Sequence, residues 1–448
     1  MKHPLLLLLL FVCCCCSPVF AADGTENRDT YRHLETFANV LTLIQQYYVD
    51  DVDSGKVINA AITGMLSSLD PHSAYMSPED FRDLEEETSG SFSGIGIEIS
   101  IRDGILTAVA PIEGSPADRE GIQPGDQIIR INGELTKAMS LLDAVKKLRG
   151  EKGTMVTITI LREGWQNTRD LTLIREAIPL YSVRTMELEP GFFSIRISNF
   201  QATTTRDIRN ALNSMSRKPP VRGVILDLRN NPGGLLDQAV KVADLFLDQG
   251  IIVSTRGRDK EEQIVFRAHD DGGRNDFPMV VLVNSGSASG SEIVAGALQD
   301  HKRAIILGTP TFGKGSVQTI LPLPDGSGIR LTTAKYYTPS GGSIQATGIT
   351  PDMLVPLTTP TTAAETPSES ARPDTIIRER DLPHHLKNDT HTEPPPKEIK
   401  GMEHPEDFNK IQEIQNIETL LKEDNQLRTA LIILQSLDLA TKKQPSKK

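Results

Sequence analysis

A serine at the mouth of a helix and a lysine between two glycines are the residues of this chain best placed to do chemistry. The first lies in Asn284-Ser-Gly-Ser-Ala-Ser289-Gly290-Ser291-Glu292, the second in Thr311-Phe-Gly313-Lys314-Gly315-Ser-Val-Gln318. Residues 278–283 form a continuous apolar run, the look of a buried strand, and residues 293–298 continue as helix. Ser289 therefore falls where backbone N–H groups lack internal partners and carry partial positive charge. A developing oxyanion is stabilised there. An exposed lysine is a poor base: with a pKa near 10.4, only about one in a thousand is neutral at pH 7.4. Desolvation lowers that value by several units. With no histidine in a catalytic-looking setting, the chemistry expected is that of a Ser/Lys hydrolase in which a buried, neutral Lys314 takes the proton from Ser289. Gln318, at an even separation along an extended segment, falls on the same side as Lys314 and can hold its nitrogen.

Plainer readings compete at each position. Ser289-Gly-Ser-Glu292 also matches a capping box, in which serine caps the helix and glutamate reaches back. Lys314 could be a solvated turn lysine and Gln318 a residue on a strand's solvent face. The run from Gly308 to Gly315 comes within one residue of a phosphate-binding loop. That motif needs Ser or Thr after the lysine and a helix beyond; Gly315 and a strand-like, proline-ended segment stand there instead. A third segment, residues 222–229, reads as a buried strand running into Asn230-Asn-Pro-Gly233-Gly234 and an amphipathic helix. Such a turn either aims bare N–H groups at a ligand or simply joins strand to helix.

Together these segments resemble the carboxyl-terminal processing proteases, also called tail-specific proteases, over roughly residues 31–355. The resemblance implies Ser289 as nucleophile, Lys314 as general base and Gln318 as its orienting partner. It implies an oxyanion hole from the Gly290 N–H with one from Gly233 or Gly234. It also implies an α/β catalytic core of crotonase/ClpP-like type, built of ββα units, with an inserted PDZ domain and helical segments at both ends. Gly290 stands where relatives often carry alanine, which keeps the N–H.

Ser93-Gly94-Ile95-Gly96-Ile97 opens a block of short strands and glycine turns with a helix between Leu141 and Leu148. It looks like a PDZ domain with Gly94, Ile95, Gly96 and Ile97 as the carboxylate loop. There a peptide tail adds as a strand and its terminal carboxylate docks on bare N–H groups. A dinucleotide reading of Gly94-x-Gly96 fails, since a strand follows and the third glycine is missing. Arg149 matches a position that resembles a substrate-sensing arginine in some relatives; a surface arginine is the plainer reading.

Composition sets the bounds. The 448 residues carry 48 Lys plus Arg against 59 Asp plus Glu, a net charge of −11, which argues against nucleic acid as a partner. Residues 1–21 read as a signal peptide, which implies export, most simply to a bacterial periplasm, with membrane association as an open variant. All four cysteines, Cys13 to Cys16, fall within it, so disulfides and cysteine metal sites are not expected, nor any cofactor or metal. The expected domains are an N-terminal helical region (22–85), the PDZ block (86–162) and the catalytic core (163–356). A Pro-, Thr- and Glu-rich flexible linker (357–406) and a C-terminal helical segment (407–448) follow. Expected partners are proteins with apolar C-terminal tails, an adaptor protein, and further copies of the chain through terminal helices. A catalytically silent PDZ adaptor, a histidine-dependent PDZ protease and an acyl-CoA enzyme are the rival readings.

Overall fold

The computed structural model describes residues 24–102, 104–215, 220–259, 263–270, 276–358, 377–390 and 417–443. The expected signal peptide lies outside them, as does most of the expected linker. The chain divides into two units, residues 1–65 and 66–448. Helix Gly24–Tyr47 lies in the first, and helix Ser54–Ser67 follows it along the chain. Asp53 starts that second helix, its Oδ1 accepting from the N–H groups of Gly55 at 2.9 Å and Lys56 at 3.2 Å.

In the second unit the mostly parallel sheet follows from sequence pattern. Gly223–Asp227 and Met279–Val283 are buried at every position, as continuous aliphatic runs must be in a sheet covered on both faces. They lie at the centre of a six-stranded sheet ordered Val183–Glu189, Phe192–Ile197, Gly223–Asp227, Met279–Val283, Ile305–Gly308 and Met353–Leu354. The first pair is antiparallel and every later pair parallel. Alternation then sorts side chains: Val224, Leu226 and Val281 pack under helices Thr204–Met215, Leu236–Asp244 and Gly290–Asp300. Ile225, Val280 and Leu282 face the other way, onto Leu427, Ala430, Leu431 and Leu434 of helix Asn425–Lys443. The C-terminal helical stripe thus packs on the chain's own sheet.

A five-stranded sheet stands beside this core, built on Gly328–Tyr337. It pairs with Ala74–Met76 and Ile251–Gly257, and with Ser316–Pro322; Gln263–Arg267 adds beyond Ile251–Gly257. The PDZ sheet runs Ile97–Arg102, Ile105–Pro111, Gln127–Ile131, Met155–Leu161 and Arg169–Ile174. Its last strand pairs with Met155–Leu161 in an unbroken register. The expected linker differs at residues 377–390. Their polar, proline-bearing sequence reads as linker, yet Glu379 is fully buried against the core, for reasons of hydrogen bonding rather than apolar area.

Candidate active site

Ser289 sits in the turn between strand Met279–Val283 and helix Gly290–Asp300, with φ 51° and ψ −109°. Positive φ on a residue with a side chain is a strained backbone, held only where the surroundings over-determine it. Those surroundings are the second turn. Asn230 N donates to Asn284 Oδ1 at 2.9 Å and Asn284 Nδ2 to Asn230 Oδ1 at 2.8 Å. Ala288 N donates to Asn231 O at 2.9 Å, and Ser291 Oγ to the same oxygen at 2.9 Å. Gly233 is pressed so closely on the serine that a Cβ there would lie 2.8 Å from the Ser289 Cβ.

The hydroxyl of Ser289 makes no capping hydrogen bond, so the capping-box reading covers only half of what the motif does here. Glu292 does reach back, its Oε2 accepting the Ser289 N–H at 2.8 Å. The hydroxyl meets Tyr336, a tyrosine that burial pushes up to about 12. Among the described residues the Gly290 and Gly234 amides donate to nothing, whereas the Gly233 amide donates to Asn231 Oδ1 at 2.9 Å. That difference separates the two candidate glycines left open by the sequence: Gly233 touches the serine, but Gly234 keeps the unused N–H.

Lys314 lies in a loop without regular structure, and Glu292 is what brings that loop to the serine. The same Oε2 that holds the Ser289 amide accepts Lys314 N–H at 3.0 Å, while Oε1 accepts Gly313 N–H at 2.7 Å and the Thr311 hydroxyl at 2.5 Å. Burial pushes Glu292 up to about 7, against the pull of these four donors. Burial and, next, the Arg330 guanidinium lower the Lys314 pKa, while the carboxylates of Glu379, Glu292 and Asp70 oppose them. Lys314 Nζ donates to Gln318 Oε1 at 3.1 Å. The predicted contact forms, though not by strand alternation. The strand begins only at Ser316, beyond the lysine, and bulges between Val317 and Gln318. No hydrogen bond joins Lys314 Nζ to Ser289 Oγ among the described residues.

Sequence reasoning missed Tyr336, Arg330, Asp70 and Glu379, and saw in Glu292 only a helix cap. Asp70 has a local signal: in Asp70-Pro-His72-Ser73 its carboxylate accepts the His72 and Ser73 amides, both at 2.8 Å. Beneath the second turn Arg229 is clasped by Asp227 and by Asp424 of the C-terminal segment, at 2.8 and 2.7 Å. Burial disfavours its charge, but the two carboxylates hold its pKa above the ordinary value.

In the PDZ block, Ile95 is buried and Gly96 has φ 71°, with a Cβ there lying 2.3 Å from the Ser115 Cβ. Only glycine fits. The Gly96 carbonyl accepts from Ile112 N and Ser115 Oγ, both at 2.9 Å, which fixes the turn at Gly96. The strand that follows, Ile97–Arg102, is an edge with one neighbour. Arg149 lies 3.9 Å from Asp83 and 3.8 Å from Glu86, with its guanidinium over the Phe92 ring. Among the described residues no group of acidic, histidine or cysteine side chains is arranged to hold a metal, and no helix is long and apolar enough to cross a membrane.

A mostly parallel α/β core joined to a PDZ-type sheet with an edge strand at Ile97–Arg102 is the architecture of a PDZ-bearing peptidase. Residues 193–355 match the family described as Peptidase family S41, residues 107–162 match the PDZ domain, and residues 18–80 match the activating protease CtpB N-terminal domain. A carboxy-terminal-processing protease of Bartonella bacilliformis is 45% identical over 342 residues, covering 75% of this chain and 79% of the relative. The carboxy-terminal processing protease CtpA of Bacillus subtilis is 39% identical over 315 residues, 70% of this chain and 67% of the relative. Among solved structures, a photosystem II D1 C-terminal processing protease is 32% identical, covering 71% of this chain and 92% of its own, with a TM-score of 0.42. The chain belongs to peptidase family S41, among its carboxy-terminal processing proteases.

Proposed function

We propose that this peptidase is an exported, periplasmic serine endopeptidase that selects proteins by an apolar C-terminal tail and cleaves them with a Ser289/Lys314 dyad. The observation that carries the reading is one atom: Glu292 Oε2 holds the amides of both Ser289 and Lys314, in a setting where burial favours the neutral lysine. A neutral amine beside a strained, half-freed hydroxyl is what nucleophilic activation needs. Lys314 Nζ leaves Gln318 Oε1 or shares it, takes the Ser289 proton, and the alkoxide attacks the scissile carbonyl. The Gly290 and Gly234 amides receive the oxyanion. The lysine then passes its proton to the leaving amine and activates the water that releases the acyl group.

The parallel strand–helix units around Gly223–Asp227 and Met279–Val283 support a core of crotonase/ClpP-like type. Tail selection is supported by the open edge at Ile97–Arg102 and by a floor of Ile95, Ala144 and Leu148 beneath the loop. Each apolar tail side chain buried there contributes about 1.5–3 kcal/mol, so one or two residues set selectivity. An adaptor protein that presents substrates, and self-association through the N-terminal helices, complete the proposal. Tyr31, Leu34, Phe37 and Val40 are exposed on helix Gly24–Tyr47, and light scattering that finds only monomer removes that last element.

Ser289→Ala and Lys314→Ala are expected to abolish cleavage of a tail-bearing substrate while leaving its binding intact. Wild-type cleavage by either variant overturns the dyad. Mass spectrometry of proteins retained by Ser289→Ala identifies the substrates.

A further inference from the structure

Residues 377–390 form a strap laid on the loop that bears Lys314. Glu379 is its fixed point, a fully buried glutamate, a rare fate for that side chain without partners. Its two carboxylate oxygens lie 2.9 and 2.7 Å from His72 Nε2. Oε1 also accepts from Gln345 Nε2 at 2.9 Å. The strap's own backbone joins in: Glu379 N donates to Phe312 O at 3.3 Å. Gln345 Oε1 in turn accepts the Gly315 N–H at 3.0 Å. A Cβ on Gly315 would stand 2.3 Å from Gln345 N, so the loop lies directly on its support. Both ends of the lysine loop therefore depend on Glu379, Phe312 directly and Gly315 through Gln345. The far end of the strap is tied separately, by Asn388 Nδ2 to Gln345 O at 2.6 Å and by the Tyr337 hydroxyl to Asp389 at 2.6 Å.

We propose that Glu379 is a positioning residue for the reaction: through Gln345 it holds the lysine loop independently of Glu292, and its charge sets the field in which the lysine amine works. This rests on the Ser289/Lys314 reading. The charged groups around the amine come from four places: Arg330 on strand Gly328–Tyr337, Glu292 on the serine's helix, Asp70 before strand Ala74–Met76, and Glu379 on the strap. His72 faces Glu379 from the Asp70 segment. The three carboxylates favour the protonated lysine; Arg330 and burial oppose them. Removing the Glu379 charge therefore makes the neutral base available at lower pH.

The test uses the full-length protein and the rate at which a fluorophosphonate labels Ser289, followed against pH. Glu379→Gln keeps the shape and is expected to move the acid limb down by roughly half a pH unit. A limb that stays in place overturns the proposal, whatever the rate, because a merely structural glutamate lowers the rate without moving the limb. If Glu379→Gln does not fold, Glu379→Asp decides. It keeps the charge but withdraws from Gln345, so labelling should slow by about tenfold at an unchanged midpoint; an unchanged rate overturns the proposal. Lys314→Ala separates the two levels: labelling that survives it defeats the dyad, and the strap's role with it.

Discussion

The turn that carries Ser289 and the loop that carries Lys314 are built on opposite plans. The serine's turn is local. A buried strand ends, a short Ser/Gly run bends, and a helix begins, all within residues 279–300. Its neighbour, Asn230–Gly234, has the same strand–turn–helix plan and locks onto it through paired asparagines. The lysine's loop has no such frame. Three successive amides, those of Gly313, Lys314 and Gly315, are held by side chains from elsewhere: Glu292 for the first two and Gln345 for the third. A nucleophile can be placed by strong local geometry. A base whose proton affinity must be tuned gains from partners on several elements, because each adds its own charge and excludes its own share of water.

The contrast can be broken most severely at Glu292. Glu292→Ala leaves four donors without their acceptor, three of them in the lysine loop, and should cost at least about 3 kcal/mol of stability in a denaturant titration. Cleavage should fall by about a hundredfold or more. Hydrogen exchange should speed at Gly313–Gly315 while helix Gly290–Asp300 stays protected. Equal loss in both would show that the serine's turn is no more self-supporting than the loop.

Gly315→Ala is the next step down. Its Cβ meets the Gln345 backbone at 2.3 Å, so the loop must shift, and a displacement near 1 Å should lower cleavage by about tenfold to a hundredfold. The serine's reactivity towards a small ester that needs no tail should fall in parallel. By contrast, Gly96→Ala, with an equally severe contact at Ser115, should weaken tail-dependent cleavage and spare that ester.

A pH titration sharpens the comparison. Glu292 is pushed from 4.5 to about 7 in the folded chain. A raised value means the folded state prefers the protonated form. Its contribution to stability is thus complete below about pH 4.5 and is lost as pH rises through 7. Glu292→Gln should flatten that part of the stability profile; an unchanged slope assigns it to other groups. The smallest effect is expected on the local side. Ser291→Ala removes one buried bond to Asn231 O, 2.9 Å long, and should cost about 1 kcal/mol with little change in rate.

How much could be read beforehand follows the same division. The turns that hold Ser289–Gly290 and Pro232–Gly234 were legible as strand-to-helix turns because hydrophobic runs on either side fix strand and helix. The stretch from Gly94 to Ile97 was legible as a glycine turn before a strand; that Gly96 has a left-handed backbone pressed on Ser115 was not. The Lys314–Gln318 pair was found on a premise of strand alternation that the bulge at Val317 does not satisfy. The strap reads as linker because its anchors are polar, and composition registers apolar burial but not a glutamate hydrogen-bonded to His72 and Gln345.

By itself, then, the order of residues settled the strands and helices of the core, the serine's turn, the PDZ pattern and the presence of a lysine between glycines, since each depends on neighbours within a few positions. Only the tertiary structure decided that Glu292 spans both turns, that Tyr336 and Arg330 face the site, that Asp424 braces Arg229, and that residues 377–390 return to support the lysine. The physical reason is range: backbone conformation and periodic burial are set by adjacent residues, whereas the dryness and charge around one amine are sums over groups that the chain brings together from far apart.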